Sequence, residues 1–233
     1  MNQKRFDNAD VLILGSGFAG GLLGTVLAKQ GVRVVIVDKS PHPRFAIGES
    51  TIPHTSLLIS ILAERFDVPE IEYLSYPDKI ADHITTSCGI KRSFGFAYHR
   101  EGLEHCPAES HQFGTGSKDE VHLFRQDIDA FLLNLAVHYG CDARLGVAVE
   151  SIDINEEGVK CETSDGRTIR ARYVVDGTGF RSLLSQKYDL RDEPCRLRHH
   201  SRTLFTHMVD VGTFEEDKNP MLLSWDQNTL HHC

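Results

Sequence analysis

The run Gly15-Ser16-Gly17-Phe18-Ala19-Gly20 constrains this chain more than any other stretch. It follows an apolar run, Val11–Leu14, and opens a helical pattern that Gly31 ends. A second apolar run, Val32–Val37, closes on Asp38. Strand, glycine turn, helix, strand and a terminal acid about twenty residues past the glycines together form a dinucleotide-binding fingerprint. Each part has a physical task. Gly15 makes the tight turn, Gly17 lets the backbone approach a pyrophosphate, and Gly20 lets helix and strand pack closely. The helix N-terminus faces the phosphates. Asp38 accepts hydrogen bonds from a ribose diol and repels the 2′-phosphate of NADP.

Downstream, "PHPRFAIGESTIPHTSLLISILAERFDV" reads as an extended loop and then a helix. Ser50 or Thr51 is expected to cap that helix, with Pro53 in its first turn and Leu57, Leu58, Ile61 and Leu62 as its apolar stripe. Gly48 lets the loop pass near a bound cofactor. In "SCGIKRSFGFAYHREG", Phe94, Phe96 and Tyr98 alternate as on one face of a strand, with Lys91 at its mouth. Read alone, Lys91 is a solvated surface lysine. "EHCPAESHQFGTGSKDE" is polar and turn-rich, a loop or flap. A short strand and a helix follow, with Arg125 at the helix start, where it reaches a phosphate or stays on the surface.

Between Ala143 and Val175, three or four short strands separated by turns make a β-meander. It leads into "VVDGTGFRS", a second strand ending in a glycine turn, where Asp176 and Gly179 lie. An NAD dehydrogenase continues with βαβ units instead, so a flavin fold fits better. Arg202–Val211 alternates as a strand. The pairs His199-His200 and His231-His232 lack the i/i+4 spacing of a helical metal site, and no metal is expected.

The net charge of −8 excludes a basic nucleic-acid or anionic-membrane surface. No apolar run reaches the length of a membrane span. The start passes straight into a strand, so no leader is expected, and the six cysteines form no C-x-x-C pair. The expectation is therefore a cytoplasmic protein with reduced thiols.

With these residues laid out, the chain resembles the flavin-dependent halogenases, on "GSGFAG" with Asp38, "GESTIP", "FRQDID" and "VVDGTGFRS". "GESTIP" is the part closest to halogenases; the other motifs are general to FAD enzymes. The resemblance implies an α/β fold: a Rossmann-like FAD-binding domain of the glutathione-reductase or hydroxylase type, its parallel sheet joined to a β-meander, with an attached substrate-side β-sheet. On this reading the FAD-binding part covers about 1–65 and 120–186, and the substrate side about 66–119 and 187–233. It implies a cofactor site at Gly15, Gly17, Phe18, Ala19, Gly20, Asp38, Lys39, Gly48, Glu49, Ser50, Arg125, Val149, Asp176 and Gly179.

Lys91 falls in the place of the family's active-site lysine, with Arg92 and Lys79 as rivals for that place. The implied activity uses FADH2, O2 and chloride or bromide. A flavin hydroperoxide yields hypohalous acid, and the lysine directs it to an electron-rich aromatic ring. A separate flavin reductase supplies FADH2, and the substrate is a free or carrier-protein-tethered aromatic molecule. Two family elements lack a match: a Trp-x-Trp-x-Ile-Pro segment, against the single Trp225, and a later Gly-Asp motif. A chain incomplete at its C-terminus is therefore expected. The alternatives are an aromatic hydroxylase or other flavin oxidoreductase, which takes hydride from NAD(P)H itself, and an inactive truncated flavoprotein.

Overall fold

Val11–Leu14 and Val34–Val37 are apolar at nearly every position, as strands covered on both faces must be. In the computed structural model they lie in β1 (Asn8–Leu14) and β2 (Val34–Asp38), joined by helix α1 (Phe18–Lys29). The structure describes residues 7–91, 93–104, 106–114, 119–199, 201 and 203–207. Arg92, His200, Trp225, His231 and His232 lie outside them.

The chain divides into two compact units. The first comprises Met1–Ile47, Leu62–Ile71 and Arg125–Thr203. Its six-stranded sheet has the order β7-β2-β1-β10-β9-β8. Here β7 is Asp142–Leu145, β8 Val149–Asn155, β9 Gly158–Thr163 and β10 Thr168–Asp176. The four strands β7, β2, β1 and β10 run parallel, whereas β9 and β8 continue antiparallel from β10 as a meander. One face buries Ile13, Val34 and Ile36 with Leu133, Ala136 and Cys141. The other buries Leu12, Leu14, Val35 and Val37 with Ile152, Val159, Cys161 and Ile169. Burial pushes the Cys141 thiol up to about 12 and Cys161 to about 11, so both remain protonated and inert.

Helix α4 (Arg125–Tyr139) packs so closely on α1 that a Cβ at Gly21 would lie 2.9 Å from Leu132 Cβ. The stretch Ala143–Ile154 is split between opposite edges of the sheet. Gly146, with φ +70, redirects the chain after β7 has paired beside β2.

The second unit comprises Gly48–Ile61, Glu72–Phe124 and Leu204–Cys233. It holds most of α2 (Pro53–Phe66), α3 (Pro77–His83) and two short antiparallel pairs. In the first pair, β3 (Gly89–Lys91) meets β6 (Glu120–His122). In the second, β4 (Ser93–Ala97) meets β5 (Ser110–Gly114).

Three expectations change. Part of the polar flap is strand, because β5 pairs with a partner that local composition does not reveal. Ile59 and Ala63 are buried on α2, whereas Leu57, Leu58 and Ile61 are exposed. The apolar stripe is real, but its most regular part faces outward. Residues 203–207 belong to no strand, and the rest of the Arg202–Val211 segment lies outside the described residues.

Candidate functional site

In the first unit, strand register gathers the sequence motifs at one sheet edge. Leu14 lies level with Val37 on one side and Asp176 on the other, so Gly15, Asp38 and Gly177 leave the carboxyl ends of adjacent strands. Open α/β sheets take their ligands at that edge. Gly15 has φ +97, and a Cβ there would meet the Gly177 carbonyl oxygen at 2.5 Å. The two glycine turns therefore pack directly against each other. Gly177 makes this close approach; Gly179, with φ +74, stands in open space. At Gly20 a Cβ would lie 2.0 Å from the Gly15 carbonyl oxygen.

Asp38 is buried, and its two carboxylate oxygens are occupied. Oδ2 accepts from the Ser16 amide at 2.9 Å, the Ser16 hydroxyl at 2.8 Å and Arg44 at 3.0 Å. Oδ1 accepts from the Ser40 amide at 2.9 Å. Burial alone would raise the Asp38 pKa. The amides of Ser16 and Ser40, the Ser16 hydroxyl and the Arg44 charge outweigh it and hold the pKa below the ordinary carboxylate value. Lys39 is exposed just beyond.

Arg125 opens α4 and forms a two-point ion pair with the fully buried Asp129, at 2.7 and 2.9 Å. It also donates to the Ile47 carbonyl at 2.5 Å, and its guanidinium stands 5.7 Å from the centre of the Phe18 ring. A Cβ at Gly17 would lie 3.6 Å from terminal nitrogens of both Arg44 and Arg125. Two guanidinium groups thus flank the turn at the α1 N-terminus, each paired to a carboxylate, with Asp129 Oδ2 also 3.6 Å from that Cβ position. Guanidinium and helix N-terminal N–H donors together suit a diphosphate.

Arg44 Nε and His42 Nδ1 are buried, with no hydrogen-bond partner among the described residues. The tight glycine turn, the paired arginines and these two unmet polar atoms fit the pyrophosphate and ribose of FAD. His42, Arg44 and Asp129 escaped the sequence reading, and Ser16 and Gly177 entered it only as members of the two glycine turns. A cation six residues past Asp38 was the one available signal, and it pointed to Arg44.

Two other expected residues serve the fold directly. Asp176 accepts from the Thr178 amide and hydroxyl, the Ser182 hydroxyl and the Leu184 amide, at 2.5–3.1 Å, and so closes its turn onto α5 (Leu183–Lys187). Val149 packs against the buried cluster under β8. Ala19 is exposed in the first turn of α1.

The second unit holds a separate cluster around the Gly48–Glu49–Ser50 turn, where Gly48 has φ +89. Lys91 is only 6% exposed. Its ammonium donates to Ser50 Oγ at 2.8 Å and to the Thr51 carbonyl at 2.7 Å, and lies 5.4 Å from the Phe94 ring centre. The surface reading of Lys91 is therefore overturned. The rival Lys79 is spent on a Glu72 ion pair at 2.7 Å. Thr51 does not cap α2; its hydroxyl bonds Glu120 at 2.9 Å and meets the Val121 backbone. Glu49 accepts Leu123 N–H on its carbonyl at 2.7 Å, and its carboxylate meets His207 Nε2 at 3.1 Å.

His122 pairs in register with Gly89 and bridges to Ser50. Burial, reinforced by the Lys91 charge, lowers its pKa from 6.5; Glu49 opposes weakly. Burial and the Arg44 charge lower His42 in the same way. Because the folded pKa values lie below the unfolded one, the unfolded chain takes up protons first as pH falls through 6.5. Stability drops there and is restored above it. The urea midpoint should fall between pH 7.5 and 5.5, and fall less in His122→Gln. A wild-type midpoint unchanged over that range would contradict the assignment.

Among the described residues, no group of three or more His, Cys, Asp or Glu is placed to hold a metal ion. No helix among them is long and apolar enough to cross a membrane.

Residues 8–51 match the FAD binding domain family, the span that contains the glycine turn, Asp38 and Arg44. Over 230 residues the chain is 43% identical to tetracycline 7-halogenase of Kitasatospora aureofaciens, covering 96% of this chain and 41% of that protein. It is 41% identical over 236 residues to monodechloroaminopyrrolnitrin halogenase PrnC of Pseudomonas fluorescens, covering 99% of this chain and 42% of that one. The chain belongs to the flavin-dependent halogenase family. The crystal structure of halogenase PltM in complex with phloroglucinol and FAD matches this chain with a TM-score of 0.73 at 43% identity, over 78% of this chain and 36% of that one. The chain thus spans about two-fifths of the length of the curated halogenases it matches.

Proposed function

We propose that the whole protein is an FADH2-dependent halogenase that places chloride or bromide on an electron-rich aromatic ring, with Lys91 as the catalytic residue. The observation that carries this reading is the buried Lys91 ammonium, held by Ser50 and Thr51 of the "GESTIP" turn. A lysine this buried costs desolvation and is seldom kept for stability. The relatives support the substrate class, since tetracycline and phloroglucinol are both phenolic compounds.

Bound and reduced, FAD supplies oxygen activation. The protein's own groups do the rest. The glycine turn, the α1 N-terminus, Arg44 and Arg125 hold the pyrophosphate, and Asp38 braces that turn while meeting the ribose. At the second cluster, Lys91 Nζ donates a hydrogen bond to the oxygen of hypohalous acid and aims its halogen at the ring. As the carbon–halogen bond forms, the oxygen–halogen bond breaks and the departing hydroxide takes a proton from Lys91 Nζ to leave as water. The ring carbon then gives up its proton, which restores the ammonium. Burial keeps bulk water from dispersing the oxidant. FADH2 comes from a separate reductase, and the aromatic substrate is free or tethered to a carrier protein.

The test supplies the whole protein with FAD, a flavin reductase, NADH, bromide or chloride and a panel of phenols, pyrroles and indoles. Halogenated product, seen by mass spectrometry and dependent on both reductase and halide, is expected. Rapid flavin reduction by NADH without the reductase, with hydroxylated product, would replace this reading with a monooxygenase.

A further inference from the structure

Glu120 is 1% exposed and has no part in the chemistry described above. It sits on β6 directly opposite Lys91 on β3, and such antiparallel partners place their Cβ atoms about 5 Å apart on one face. Its Oε2 accepts from the Thr51 hydroxyl at 2.9 Å and the Ser56 hydroxyl at 2.7 Å. Thr51 is the residue whose backbone carbonyl receives the Lys91 ammonium, and its Oγ1 also accepts the Val121 amide at 2.9 Å. One buried carboxylate therefore ties the lysine's strand partner, the "GESTIP" turn and the first turns of α2 into a single network. We propose that Glu120 is the positioning residue for Lys91, acting through Thr51.

The physical argument rests on cost. A carboxylate taken out of water is retained only where its partners satisfy it, and here two hydroxyls do so. An ammonium on a four-carbon stem has many rotamers, and a transfer step needs one of them. Fixing the Thr51 carbonyl selects that rotamer, because the carbonyl and Ser50 Oγ are acceptors in a set geometry. Without Glu120 the Thr51 hydroxyl loses an anchor. The turn is then free to shift, and the lysine with it.

The inference rests on the halogenase reading for its chemical meaning, so its test has a readout that needs no halogenation. The ε-amines of the whole protein are labelled with acetic anhydride, and Lys91 is compared by mass spectrometry with the exposed Lys39 as internal standard. Glu120→Ala and Thr51→Val should each raise relative labelling of Lys91 at least fivefold. Thr51→Ser, which keeps the hydroxyl, should leave it at the wild-type level.

In turnover, Glu120→Ala should yield at least tenfold less product per FADH2 oxidised, with FAD affinity unchanged. Glu120→Gln keeps an acceptor for Thr51 and Ser56, guards against a misfolded alanine variant, and should give an intermediate labelling rise. Unchanged Lys91 labelling in a folded Glu120→Ala or Glu120→Gln variant would overturn the proposal. A wild-type protein that makes no halogenated product but shows the labelling pattern would instead remove the halogenase reading and leave the positioning role standing.

Discussion

Replacing Lys91 with methionine is expected to cut halogenated product at least 100-fold, while FAD binding and FADH2 oxidation stay near wild type. Methionine keeps most of the apolar stem but removes the ammonium that Ser50 and Thr51 hold. A factor of 100 corresponds to about 2.7 kcal/mol in the barrier, the scale on which one directed polar group acts in a water-excluded site. Some stability is lost as well, about 1–3 kcal/mol, because the Thr51 carbonyl is left without its charged donor. Lys91→Arg separates these effects. A guanidinium can still satisfy both acceptors, so stability should recover, but it is larger, planar and permanently charged. Product should stay low. If Lys91→Met halogenates as well as wild type, Lys91 is a satisfied structural lysine, and the proposed mechanism loses its central group.

The two clusters were unequally legible in the sequence. β1, α1 and β2 announce themselves because every constraint on them is local: apolar runs, a glycine turn and an acid at fixed spacing. The meander was legible for the same reason, through Gly158 and Gly166 at its turns. What stayed hidden depends on contacts between distant segments. Lys91 reads as a surface residue until β3 pairs with β6, and no periodicity near residue 91 points to Glu120. Asp129 was not singled out, because its burial and its ion pair with Arg125 appear only once α4 packs on α1. The stripe Leu57–Leu58–Ile61 shows the converse failure. Its helical spacing was read correctly, but spacing alone does not say which side of a helix the core occupies.

Asp38→Ala is expected to do two separable things. First, it leaves the Ser16 amide and hydroxyl, the Ser40 amide and one Arg44 nitrogen without their shared acceptor. Removing one partner from a buried ionic network costs about 3–5 kcal/mol, so the urea midpoint should fall sharply even without cofactor. Second, FAD affinity should fall about tenfold or more, since a charged hydrogen bond to the ribose contributes about 1–3 kcal/mol and Ser16 lies inside the phosphate turn itself. Asp38→Asn distinguishes the two. The single amide oxygen can take the place of Oδ2 and still accept from the Ser16 amide and hydroxyl, but the Ser40 amide loses its acceptor on Oδ1 and Arg44 loses its counter-charge. The Asp38→Asn variant should therefore recover part of the stability and part of the affinity relative to Asp38→Ala, because the Ser16 contacts of the glycine turn are kept. If Asp38→Ala loses stability but binds FAD as wild type does, Asp38 braces the turn and does not touch the cofactor. If it loses affinity with an unchanged urea midpoint, the four hydrogen bonds contribute nothing to the fold, and Asp38 does not brace the glycine turn.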